Sequence, residues 1–187
     1  MAFIRKFIDS SKELGRVQTL AVCAMMLALR VILGMFANSL LPFLPYVKVG
    51  LTFIPIVIVA ILYGPVCAGV VSGAGDILSI ILLNPTGFAI TPGITLSCVL
   101  EGIIYGVVLY LTELRLYKAI IAKAAVLILC SIPLNTLVLH LLYNAPFLEI
   151  LWYRTAVLVP YGIVEVIVIF YLWKLIERLK ANKHIKI

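Results

Sequence analysis

From Val17 onward the chain is a succession of long apolar runs interrupted by short polar or Pro/Gly-rich segments. A helix that crosses the hydrocarbon layer of a bilayer needs about 20 apolar residues. On that measure six spans are predicted, at about 17–36, 50–63, 66–83, 94–111, 119–143 and 152–175. The second is short, and Gly64-Pro65 supplies a tight turn from it into the third. Pro42 and Pro45 mark the first loop, Asn84-Pro85-Thr86-Gly87 and Thr91-Pro92-Gly93 bracket another, and Thr112 to Lys118 forms a polar connector. Residues 1–16 follow a different pattern, with Phe3, Ile4, Phe7, Ile8 and Leu14 interleaved with charged residues. That is the pattern of an interfacial helix rather than of a cleaved leader. The expected fold class is all-α integral membrane. Its layout is an interfacial amphipathic segment over 1–16, a six-helix membrane domain over 17–178 and a basic tail over 179–187.

Composition supports the membrane assignment. Of 187 residues, 64% are hydrophobic and 12% are charged, whereas a water-soluble domain carries roughly 25% charged residues to cover its surface. The net charge of +7 raises the question of nucleic acid, but the basic residues lie at the ends and in one connector. With six spans, one face collects Arg5, Lys6, Lys12, Arg16, Arg115, Lys118, Lys123, Lys174, Arg178, Lys180, Lys183 and Lys186, against Lys48 and Arg154 opposite. An excess of Lys and Arg marks the cytoplasmic side, so both termini are expected there, facing anionic lipid rather than nucleic acid.

Enzyme signatures are missing. There is no GxxxxGK[ST] and no HExxH, His140 and His184 are too few for a histidine-rich metal site, and Cys23, Cys67, Cys98 and Cys130 fall singly in separate apolar stretches. No catalytic residue, metal or cofactor is expected, and any ATP must be hydrolysed by another chain. The cysteines read as small buried apolar residues.

Chemistry is therefore sought among polar residues inside the spans. Arg30, Asp76, Glu101 and Glu165 each cost at least ~2.5 kcal/mol if left facing lipid, and should face the bundle interior, a partner or a water-filled cavity. They form either a structural network in which Arg30 meets one or two carboxylates, or a ligand site. Ser97, Glu101 and Tyr105 recur at i, i+4, i+8 and share one helix face, as do Tyr161 and Glu165. Asn135, Thr136 and His140 add polarity to the outer half of span five, with His140 read as structural. Phe88, Trp152 and Tyr153 in the outer loops complete an outward-opening pocket with aromatic walls. Trp152 and Tyr153 fit an interfacial aromatic belt equally well. Three small-xxx-small faces, Ala24/Ala28, Gly69/Gly73 and Gly102/Gly106, suit internal packing or docking to another membrane subunit.

Two stretches carry a resemblance to a known family. Lys48-Val-Gly-Leu-Thr-Phe-Ile-Pro through Leu62-Tyr-Gly-Pro to Gly73-Ala-Gly-Asp76-Ile-Leu resembles the substrate-binding S components of energy-coupling factor (ECF) vitamin transporters. Asn84-Pro-Thr-Gly-Phe through Thr91-Pro-Gly-Ile-Thr-Leu-Ser97 to Glu101-Gly-Ile-Ile-Tyr-Gly106 most resembles the folate-specific members, although Ile94 and Gly50 depart from that pattern. The resemblance implies a six-helix protein of the prokaryotic plasma membrane that captures a vitamin from outside. It implies docking onto a transmembrane coupling subunit and two ATPases through the face bearing Ala24 and Ala28, and ligand release inside by tipping over.

For a folate, the groups to be matched are a flat pterin with an N–H/NH₂ edge and an anionic glutamate tail. A buried carboxylate can accept two bonds from the pterin edge, with Glu101 the first choice and Asp76 the second. Phe88, Tyr161 and the plane of Arg30 can cover the ring. Lys48 and Arg154 are the outer cations for the tail, and Asn84, Thr86, Thr95 and Ser97 can supply neutral hydrogen bonds. The alternatives are an S component for another vitamin and a stand-alone carrier or channel, which would place matching polar residues in a pore of several copies. An intramembrane enzyme would need a nucleophile or metal cluster not evident here. Cysteine-accessibility labelling is expected to modify positions 88 and 115 from opposite sides of the membrane; modification of both from one side would remove the six-span arrangement.

Overall fold

The computed structural model describes residues 2–40, 51–83, 92–113, 115–143 and 147–181. Seven α-helices account for nearly all of them: α1 (Ala2–Leu14), α2 (Val17–Leu40), α3 (Phe53–Leu83), α4 (Pro92–Leu109), α5 (Leu116–Val126), α6 (Pro133–Tyr143) and α7 (Phe147–Ala181). A π-helical turn, Leu127–Ser131, joins α5 to α6 into one long rod. No strand occurs among the described residues. Five stretches are long and apolar enough to cross a membrane. One of them, α3, is broken at Gly64, so that residues 53–63 and 65–83 form separate helical halves and six helices cross the bundle.

The break has a local cause. Gly64 sits at φ 84°, ψ −167°, a backbone conformation that disfavours any side chain. Pro65 then opens the second half, where its missing N–H costs no helical hydrogen bond. The corner is stapled by α1. The fully buried Ser10 hydroxyl donates to the Tyr63 carbonyl (2.6 Å) and accepts from the backbone N–H of Val66 (3.0 Å) and Cys67 (3.3 Å). One side chain of α1 thus serves the end of one half-helix and caps the start of the next, groups that would otherwise be unpaired. Lys6 does the same at the end of α4, its Nζ donating to Val107 O (2.9 Å) and Thr112 Oγ1 (3.2 Å). Desolvation, and secondarily the nearby Lys118 charge, lower its pKa below the ordinary lysine value. So the amphipathic segment expected at the interface is helical, and one face of it is packed on the corner of α3 and the end of α4.

The core is centred on the first half of α3, where Val57, Val59 and Ala60 are wholly inaccessible. Tyr105 and Leu109 of α4, Ala119, Ala122 and Val126 of α5, and Ile169 and Trp173 of α7 close around it. The second half of α3 runs antiparallel to α4 at very short range. A Cβ on Gly102 would stand 2.5 Å from the Ala68 carbonyl oxygen, and one on Gly106 would fall on the backbone of Pro65. The Gly69/Gly73 and Gly102/Gly106 faces are therefore internal packing surfaces, as small residues allow. Ala24 and Ala28 differ: both are exposed on α2.

Because the obstacle at Gly102 is backbone, Gly102→Ala is expected to cost on the order of 1–3 kcal/mol of stability. At Gly73 the obstacle is the Cγ2 of Val99, which can turn away, so Gly73→Ala should cost clearly less. Thermal unfolding of the two purified variants in detergent measures this; equal losses would show that the seam is not limited by backbone contact.

Candidate ligand site

The α3–α4 seam brings the polar residues of three helices together. Ser72 Oγ donates to the Cys98 carbonyl (2.6 Å), and Thr95 Oγ1 donates to Asp76 Oδ2 (2.8 Å). Arg30 of α2 lies over Gly75, its guanidinium donating to the carbonyls of Ser72 and Val71. Both Arg30 and Asp76 are buried. Arg30 makes no direct ion pair with a carboxylate among the described residues.

A second group gathers across α4, the π turn and α7. Pro133 follows that turn and has no N–H to offer the carbonyls behind it. Beside the turn, two carbonyls of the rod accept from side chains of neighbouring helices: Ser97 Oγ reaches Cys130 O (3.5 Å) and Arg154 Nη2 reaches Ser131 O (2.9 Å). Ser97 and Arg154 are both buried. Glu101 lies between the two groups, partly buried, within electrostatic reach of Cys98, Tyr105, Cys130 and Glu165. Tyr161 of α7 is half-buried and also lies within reach of Tyr105.

The remaining candidates separate. Trp152 is 74% exposed and Tyr153 is exposed at the start of α7, which suits an aromatic belt better than a pocket wall. His140 stacks edge-on against Phe147, with ring centroids 5.9 Å apart, a structural contact. Lys48, Asn84, Thr86 and Phe88 lie outside the described residues. At the far end of α4, a cavity of about 600 Å³ is lined by Ile61, Leu109, Tyr110, Trp173 and Ile176, with Glu13, Glu113 and Glu177 among its polar groups. None of the sequence candidates borders it.

One feature of the interior was not anticipated. Lys123, grouped by sequence with the positive charges of the connector, is buried on α5 and forms a direct ion pair with Glu165 of α7. Leu116, where α5 begins, lies seven residues earlier, so Lys123 sits about two turns, roughly 10 Å, into the rod. The signal available in the sequence was its spacing from Ala119, Ala122 and Val126, which all face the core. Removing one member of such a pair strands the other charge, so Lys123→Met is expected to destabilise the protein by about 3–5 kcal/mol, while Lys123→Met with Glu165→Leu recovers most of the loss. Denaturation of the single and double variants checks this, and a double variant no better than the single would mean that the pair is not the interaction being broken.

The arrangement is a membrane bundle with a polar interior toward one end of α4, offering carboxylate, guanidinium, hydroxyl and aromatic groups but no metal-binding cluster among the described residues. Its relatives are transport proteins. The folate transporter FolT of Clostridium novyi (strain NT) is 27% identical over 169 residues, 88% of this chain and 93% of the relative. A solved structure described as FolT bound with folic acid matches with a TM-score of 0.74 at 27% identity, covering 85% of this chain and 94% of that one. Residues 18–177, which run from the first span into the last, match the family described as "ECF transporter, substrate-specific component", and the chain belongs to that family.

Proposed function

We propose that this chain is the folate-binding S component of an ECF-type importer of the cell membrane. It captures the vitamin from outside and delivers it by docking to a transmembrane coupling subunit driven by two ATPases. The observation that carries the ligand assignment is the convergence of Glu101, Arg30, Asp76 and Ser97 inside a bundle that follows a folate-bound FolT along most of its length. Glu101 is a partly exposed residue on α4, and its carboxylate suits a pterin edge that offers two N–H donors. Arg30, anchored by two carbonyls, has a planar guanidinium suited to stacking on the ring. Tyr161 offers a second aromatic surface, and Asp76 with Thr95 lies farther along the same seam. Arg154, together with Lys48, is the cation for the glutamate tail.

The docking surface follows from α2. Ala24 and Ala28 face outward beside Met25 and Leu29, an apolar, low-relief surface on which another membrane helix can pack closely. Placement of both termini in the cytoplasm rests on the distribution of Lys and Arg. Residues 1–16 then lie at the inner membrane surface.

Isothermal titration of the purified chain with folic acid tests the reading. Binding by the parent is expected, weakened by about 1.5–3 kcal/mol in Glu101→Ala and unchanged in Glu177→Ala, which lies at the far cavity. A folded parent that binds no folate form, or that binds a different vitamin, removes the folate assignment. Unchanged affinity in Glu101→Ala removes the pterin anchor alone. Ala24→Trp or Ala28→Trp should abolish uptake and complex formation while leaving folate binding intact; the reverse pattern would place that face in the binding machinery.

A further inference from the structure

Tyr105 is one of the largest side chains in the protein that are fully removed from the surface, and its hydroxyl meets no hydrogen-bond partner. A buried, unsatisfied hydroxyl costs about 1–3 kcal/mol, and native structures rarely keep one without a use. Two carboxylates lie within electrostatic reach of it, Glu101 and Glu165. Neither takes its proton. Glu165 is held by Lys123 in the buried ion pair. Glu101 lies one helical turn away on the same face of α4, and it does not bond the Tyr105 hydroxyl.

We infer that Tyr105 is a ligand-contact residue whose hydroxyl completes, with the Glu101 carboxylate, a two-residue reader of the pterin ring edge. This rests on the folate reading above. The chemistry of that edge is directional: the 2-amino group and N3–H are donors, and the adjacent 4-oxo group is an acceptor. A carboxylate can take the two donors, but it repels the oxygen beside them. The edge therefore needs a donor next to the carboxylate, and a phenol hydroxyl one turn along the helix supplies it. The Lys123–Glu165 pair contributes by occupying the other carboxylate in reach, which leaves the hydroxyl free to donate toward the ring. Tyr161, also within electrostatic reach of Tyr105, offers an aromatic surface for the ring face. Ligand entry from the partly exposed Glu101 inward to Tyr105 would place the ring deepest and the charged tail nearest the mouth.

The test is titration of the parent, Tyr105→Phe and Tyr110→Phe with two probes, folic acid and pterin-6-carboxylic acid, alongside the melting temperature of each ligand-free variant. Tyr105→Phe deletes one neutral hydrogen bond and is expected to weaken both probes by the same factor, about three- to tenfold, with no fall in ligand-free melting temperature. Tyr110→Phe, at the far cavity, should leave both affinities unchanged. Unchanged affinity of Tyr105→Phe for folic acid overturns the inference, with the hydroxyl then serving the bundle alone. A loss for folic acid without an equal loss for the pterin acid, or a parent that binds folic acid but not the pterin acid, overturns the assignment to the ring edge. A parent that binds neither probe removes the folate reading and this inference with it.

Discussion

The near-contact of two backbones, α4 against the second half of α3, is the constraint on which the rest of the molecule depends. In a bilayer the hydrophobic effect gives helices little reason to associate, because lipid tails are as apolar as leucine. What holds them is close packing and satisfied polar groups. Gly102 against Ala68 and Gly106 against Pro65 bring the axes near enough for Ser72 to reach the Cys98 carbonyl and for Thr95 to reach Asp76. A larger residue at either glycine would separate these pairs, and Arg30, which uses the carbonyls of the same seam, would lose its position. The corner at Gly64 sets the start of the seam, and Ser10 of α1 holds the corner.

The charged groups of the bundle interior each have company. Buried Arg30, Lys123 and Arg154 accompany buried Asp76 and Glu165 and the partly buried Glu101. Only Lys123 and Glu165 meet directly. The guanidiniums are held by carbonyls, at the seam for Arg30 and at the π turn for Arg154. This division leaves the partly exposed Glu101 as the carboxylate that the proposed reading assigns to the ligand.

Much of this was legible in the residues. Charge-poor runs located the helices, Gly64-Pro65 announced the break in α3, the Gly-xxx-Gly pairs announced a close crossing, and the i, i+4 spacing of Ser97, Glu101 and Tyr105 put them on one face. Other features were hidden for physical reasons. Lys123 stands so near the connector that charge counting grouped it with the flank, and only the small apolar residues around it betray that its side of the helix is buried. Arg30 was open from the sequence between a carboxylate network and a ligand site; the backbone carbonyls it uses along a glycine-rich helix leave no mark in a charge pattern. Trp152 and Tyr153 show the limit of composition as a guide, since belt and pocket aromatics are chemically the same.

The account turns on where the ligand sits, and an experimental structure of the chain grown with folic acid measures that directly. The pterin ring is expected against the α4 face between Ser97 and Tyr105, within hydrogen-bond distance of Glu101 and under the plane of Arg30. Folic acid in the cavity lined by Leu109 and Trp173 at the other end of α4, or on the outer surface of the bundle, would contradict it.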